Sequence, residues 1–164
     1  MCGLGGGPET HRLVRIVLTI FAALLLAFSG PAQSEPLTTM DLSGTWQGQW
    51  TSPAGFLYTT TLTLKVTPDG LATGNFVWML KRSPRPDEQS KLGMTGTEYV
   101  SGRTNTTART VTLAGNRKDD PSNVIGLDRY KMVVSDDGRV MGGITDNHGD
   151  WQGQIILSKA ALTQ

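Results

Sequence analysis

Phe56-Leu57-Tyr58-Thr59-Thr60-Thr61-Leu62-Thr63-Leu64-Lys65-Val66 alternates without a break, with Phe56, Tyr58, Thr60, Leu62, Leu64 and Val66 on one side and Leu57, Thr59, Thr61, Thr63 and Lys65 on the other. Side chains of an extended chain point to opposite faces in turn, so a period of two with one apolar side is a half-buried β-strand. The threonine run suits it, because β-branched side chains pack well on a pleated surface. Pro68-Asp69-Gly70 then turns the chain, proline setting φ and glycine supplying the positive φ of a tight turn. Leu71 to Arg82 continues the pattern with Ala72, Gly74, Phe76, Trp78 and Leu80 on one face. Two long alternating strands joined by a tight turn point to an all-β, antiparallel fold.

Working outward, the same period recurs on both sides. Gly44 to Thr51 sets Trp46, Gly48 and Trp50 against Gln47 and Gln49. After Arg82 a polar loop, Ser83 to Gly93, holds Pro84 and Pro86, which exclude ladder pairing. Further strands are expected near Glu98 to Arg103 and at Thr110 to Gly115, with a turn at Asn105 to Ala108 between them. A second polar loop, Asn116 to Asn123, leads to strands at Leu127 to Val134, Arg139 to Thr145 and Asp150 to Leu157. Ser135-Asp136-Asp137-Gly138 and Asp146-Asn147-His148-Gly149 join the last three. That makes eight strands, and no sustained helical period interrupts them.

Trp46-Gln47-Gly48-Gln49 in the first strand recurs as Trp151-Gln152-Gly153-Gln154 in the last. In an up-and-down barrel of even strand number the first and last strands lie side by side and antiparallel, which removes both sheet edges. Glycine between bulky residues on each of them permits the coiling that closure needs. The expected architecture is an antiparallel up-and-down β-barrel of about eight strands.

The N-terminus reads differently. His11, Arg12 and Arg15 precede Ile16 to Phe28, a run of apolar and small residues broken only by Thr19. Thirteen residues as a helix span about 20 Å, short of the roughly 30 Å hydrocarbon core of a bilayer, so the run reads as the apolar region of a secretory signal and not as an anchor. Gly30 and Pro31 end it, and small residues at Ala32 and Ser34 suit a signal peptidase. The expected organisation is a signal peptide at 1–34, a flexible lead at 35–41, a barrel at 42–160 and a polar tail at 161–164, with the mature protein secreted or periplasmic.

Cleavage would discard Cys2, the single cysteine, so the mature chain would hold no disulfide or thiolate. The whole chain has 15 Lys plus Arg and 14 Asp plus Glu; Arg12, Arg15 and Glu9 belong to the leader, which leaves thirteen of each sign. A neutral domain carries no electrostatic footprint for nucleic acid or an anionic membrane, so neither partner is expected, nor stable membrane insertion after cleavage.

Gly44-Thr45-Trp46 at the start of the first strand resembles the Gly-x-Trp element of lipocalins and related calycin barrels, and Leu42-Ser43-Gly44-Thr45-Trp46 is similar to the opening of avidin-type barrels. Bacterial periplasmic inhibitors of metalloproteases are built on a similar small barrel. The resemblance implies the fold, and it implies that Trp46 closes one end of the barrel by packing across its floor. It names no ligand: the second lipocalin signature, Thr-Asp-Tyr, is absent, no biotin-contact pattern maps onto the chain, and the inhibitors' disulfide cannot form.

Four aromatic residues, Trp50, Trp78, Tyr58 and Trp151, are the candidate ligand contacts, since small-molecule sites are mostly aromatic and aliphatic walls with a few placed polar groups. The same residues also suit core filling, because an eight-stranded barrel is just wide enough to be filled by side chains. Asp146, His148 and Asp150 form the richest polar cluster; a metal or acid/base site there competes with a simpler reading as a hairpin loop. Lys118-Asp119-Asp120 and Asp128-Arg129 read as surface ion pairs. There is no nucleophile elbow and no phosphate loop. No catalytic residue, metal ligand or cofactor is assigned. The expectation is a non-enzymatic exported barrel binding a small hydrophobic or amphipathic molecule; the alternative is an envelope interaction module, an inhibitor or accessory subunit acting through its loops at 83–93 and 116–126.

Overall fold

The computed structural model describes residues 42–147 and 150–161, with the backbone alone at 147, 150 and 151. The signal segment, the lead at 35–41 and residues 162–164 of the tail lie outside the described residues, as does His148.

Eight antiparallel strands form a closed barrel in sequence order. They are β1 (Gly44–Thr51), β2 (Leu57–Val66), β3 (Leu71–Arg82), β4 (Thr95–Asn105), β5 (Thr110–Asp119), β6 (Arg129–Val134), β7 (Val140–Asn147) and β8 (Asp150–Lys159). The two tight turns form where the sequence marks them, with Gly70 at φ 81° and Gly138 at φ 67°, a region costly for any residue with a Cβ. Closure runs through the repeated tetrapeptide's strands: β1 pairs antiparallel with β8 from Trp46 opposite Lys159 to Thr51 opposite Gln154. Gly48 lies in this seam, where a Cβ would stand 1.9 Å from the Ile156 carbonyl oxygen. Only glycine lets the strands approach so closely.

The sequence places two elements differently. β4 begins at Thr95 and ends at Asn105, beyond the expected Glu98 to Arg103, and β5 continues to Asp119, through residues expected in a loop. Asn116 to Asp119 is polar because it stands at the rim, yet it still pairs: Thr97, Glu98 and Tyr99 face Asp119, Lys118 and Arg117, with a register shift beside Val100. Arg117 lies over the Tyr99 ring at 3.7 Å, a cation–π contact. The polar loop at 83–93 contains a short 3-10 helix, Pro86–Lys91.

The inward parity of each strand fills the barrel. Trp46, Leu62, Leu64, Phe76, Leu113, Tyr130, Met132, Met141 and Leu157 are buried. Trp46 lies at the floor, its indole N–H donating to the Leu42 carbonyl at 3.0 Å, in the place the calycin resemblance implies. Lys159 sits 5.6 Å from the centre of its ring. The buried core extends from there into the barrel, and a cavity lies at the opposite end.

Candidate functional site

Strand alternation in an up-and-down barrel brings the last residues of odd strands and the first residues of even strands to the same end. Trp50 is the penultimate residue of β1, Tyr58 stands at the start of β2 directly opposite it, Trp78 lies late in β3 and Glu98 early in β4. Their inward parity turns all four into the barrel's mouth. Together with Ile125 and Asp128 from the β5–β6 loop they line a cavity of about 110 Å³. Of the sequence-predicted contacts, Trp50, Tyr58 and Trp78 therefore share one cavity. The Trp151 side chain lies outside the described ones.

The rings meet edge to face. Trp50 and Tyr58 have centroids 5.6 Å apart at 70°, and Tyr58 and Trp78 6.2 Å apart at 84°. Below them Phe76 stacks on both Trp78 (5.0 Å) and Tyr130 (4.8 Å), so the wall of the cavity continues into the core as one aromatic array. Gly153 makes room for Trp50: a Cβ there would stand 2.4 Å from the indole nitrogen and 2.1 Å from the Thr145 hydroxyl.

The polar groups are the part that sequence reasoning missed. Glu98 is 1% exposed, yet its carboxylate accepts from the Asp128 backbone N–H at 2.8 Å, the Trp78 indole N–H at 3.2 Å and the Tyr130 hydroxyl. Gly115 leaves space for it, since a Cβ there would lie 2.0 Å from Glu98 Oε1. Burial pushes the Glu98 pKa up, against the pull of these three donors. The Tyr130 phenol is driven well above its ordinary value by burial and by the charges of Glu98 and Asp128, so it stays a donor.

Asp128 was expected in a surface ion pair with Arg129. Instead it lines the cavity, while Arg129 pairs with Asp146, a buried carboxylate at the end of β7. Burial, then the charge of Glu98, raises the Asp128 pKa to about 7, with Asp146 adding to the rise and a hydrogen bond from Thr145 opposing it. The Thr145 hydroxyl in turn accepts from the Trp50 indole N–H at 2.7 Å, which links ring and carboxylate into one relay.

A lid closes part of the mouth. The Asp120 carboxylate, fully buried, accepts from the backbone N–H groups of Val124 and Ile125, both at 2.9 Å, and from Lys118 at 3.2 Å. Burial would raise its pKa, but these bonds outweigh burial and hold it below its ordinary value. The Tyr58 hydroxyl donates to the Val124 carbonyl at 2.6 Å, and Lys91 donates to the Asn123 carbonyl at 3.1 Å. Burial, then the nearby carboxylates of Glu88, Asp120 and Asp128, push the Tyr58 pKa up to about 12. Lys118-Asp119-Asp120, read in the sequence as surface ion pairs, does pair Lys118 with Asp120, but the Asp120 carboxylate is buried and is the lid's internal anchor.

A larger concavity of about 490 Å³ lies on the outer wall across β1, β7 and β8, where Gly142 lowers the surface between Gln49, Ile144 and Ile156. The residues lining it carry no titratable group, whereas buried polar groups converge at the smaller mouth cavity, the usual mark of a site. Among the described residues no group of three or more His, Cys, Asp or Glu side chains is placed to hold a metal. No helix among them is long and apolar enough to cross a membrane.

No family profile matches the chain. No curated protein matches it in sequence either. Among solved structures it is similar to a redesigned β-barrel, mFAP1, bound to DFHBI, with a TM-score of 0.54 at 15% identity over 74% of this chain and 98% of the other. A second redesigned barrel, mFAP0, also bound to DFHBI, matches with a TM-score of 0.51 at 16% identity over 73% of this chain and 99% of that one. At such identity the likeness is one of fold: an eight-stranded antiparallel barrel of lipocalin-like form.

Proposed function

We propose that this chain is an exported, non-enzymatic β-barrel that holds a small amphipathic molecule in its mouth cavity. The observation that carries the reading is the convergence of three aromatic rings and two carboxylates on a space the core does not fill. Support also comes from the similar barrels, whose structures are of complexes with a small ligand, DFHBI. Size limits the ligand. Drug-sized pockets run to roughly 300–1,000 Å³, while a cavity of about 150 Å³ takes a benzene ring. At about 110 Å³ the mouth takes a compact headgroup, with any remainder of the molecule emerging past the lid.

The test is a tryptophan-fluorescence screen of one-ring and short-chain amphipathic compounds against the full chain. Compounds that shift the emission saturably should lose about tenfold or more in affinity on Trp50→Ala or Trp78→Ala, in line with truncation of an aromatic anchor. A screen without a saturable binder, in a chain that co-purifies with an envelope protein from its own source, would replace this reading with that of an interaction module.

A further inference from the structure

Resting on the binding reading above, we infer that the mouth cavity is built for a small organic cation: an ammonium headgroup whose carbons lie against Trp50, Tyr58 and Trp78 and whose charge faces Asp128 and Glu98. Three features carry this. The first is the arrangement of the rings, which stand roughly perpendicular to their neighbours at 70° and 84° on adjacent strands. Rings so placed present both faces and edges to one space, and the negative face of an aromatic ring attracts an alkylated ammonium.

The second feature is sign. The described side chains lining the cavity include two carboxylates and neither lysine nor arginine. Among the described residues, four cations near the rim are turned to other partners: Arg129 to Asp146, Lys118 to Asp120 and the Ile125 carbonyl, Lys91 to the Asn123 carbonyl, and Arg85 to Glu88. A neutral apolar ligand would gain nothing from two desolvated acids beside it, and an anion would be repelled.

The third is the division of labour between the acids. Glu98 is committed to Tyr130, Trp78 and the Asp128 backbone, so it supplies charge from behind the wall. Asp128 enters from the lid side and is less buried, which makes it the carboxylate that meets the headgroup. Among the described side chains lining the cavity no lysine or arginine accompanies these two acids, and a bound cation supplies the counter-charge.

Choline and 3,3-dimethyl-1-butanol, which share a shape and differ in charge, separate the possibilities when titrated into the full chain by calorimetry. The expected result is choline binding about tenfold or more tightly than the alcohol, with that ratio falling toward one in Asp128→Asn. Equal or tighter binding of the alcohol overturns the cation inference and leaves the binding reading standing. Failure of both probes overturns it too, and the fluorescence screen then decides the binding reading separately. The probe comparison on the unaltered chain needs no variant, so a misfolded Asp128→Asn protein does not shield the inference.

Discussion

At the residue scale, Asp128 is the position where stability and the site conflict. Its folded pKa, raised to about 7, exceeds the ordinary value of 3.8, so the folded state binds this proton more tightly than the unfolded chain does. The contribution is fully present below pH 4 and is lost as pH rises through about 7, because the carboxylate is then charged beside Glu98 and Asp146. Asp128→Asn cannot take on that charge. The variant is expected to unfold at higher denaturant than the parent at pH 8, by about 2 kcal/mol, with the gap closing toward pH 4. Equal stabilities at pH 8 would show that the carboxylate is solvated. The residue scale is also where the sequence was hardest to read. Trp50, Tyr58 and Trp78 were legible because aromatic residues on the inward parity near strand ends have few places to go. Glu98 and Asp128 were not, since an acid in an alternating strand reads as solvent-facing. The signal was present in their parity: Glu98 alternates with Val100, and Asp128 with Tyr130 and Met132, all on the core side.

At the scale of elements, the lid depends on Asp120 more than on its own sequence pattern. A loop of polar residues and a proline carries no periodicity, so nothing in the chain alone says that Val124 and Ile125 fold inward. The carboxylate that takes their two amide hydrogens and the Lys118 ammonium makes the loop a built element. Asp120→Ala leaves those amides without their acceptor, at a cost of about 1–3 kcal/mol if they stay buried. The expected result is a large rise in hydrogen exchange at Val124 and Ile125, with the middle of β3 unchanged. Unaltered protection at both amides would mean that Tyr58 and Lys91 alone hold the lid. The strand bounds failed in the sequence for a related reason. Lys118 and Asp119 extend β5 beyond the core, where pairing continues though burial does not, and burial is what periodicity detects.

At the scale of the whole molecule, the repeated Trp-Gln-Gly-Gln marks the two strands that close the barrel, although its copies do not face each other: Trp46 lies opposite Lys159, Gln154 opposite Thr51, and Gly153 pairs with Thr145 of β7. Gly48 sits where β1 and β8 meet, and the space for a side chain there is occupied by backbone. Gly142, facing outward on β7, meets nothing nearer than the Ile155 carbonyl oxygen, 3.4 Å from where a Cβ would lie. Gly48→Ala should therefore cost about 3 kcal/mol of unfolding free energy, while Gly142→Ala stays within about 0.5 kcal/mol, read from denaturant midpoints. Similar losses from both would place the cost in strand propensity and not in the seam. The barrel so closed has one end stoppered by Trp46 and the other lined by rings and acids, and the functional account rests on that asymmetry. Indole N–H resonances of the isotopically labelled chain test it most directly, during titration with the tightest compound from the fluorescence screen. Saturable shifts are expected at Trp50 and Trp78, with Trp46 stationary. Shifts at Trp46 alone, or at none of the three while the compound binds, would contradict a ligand site at the barrel's mouth.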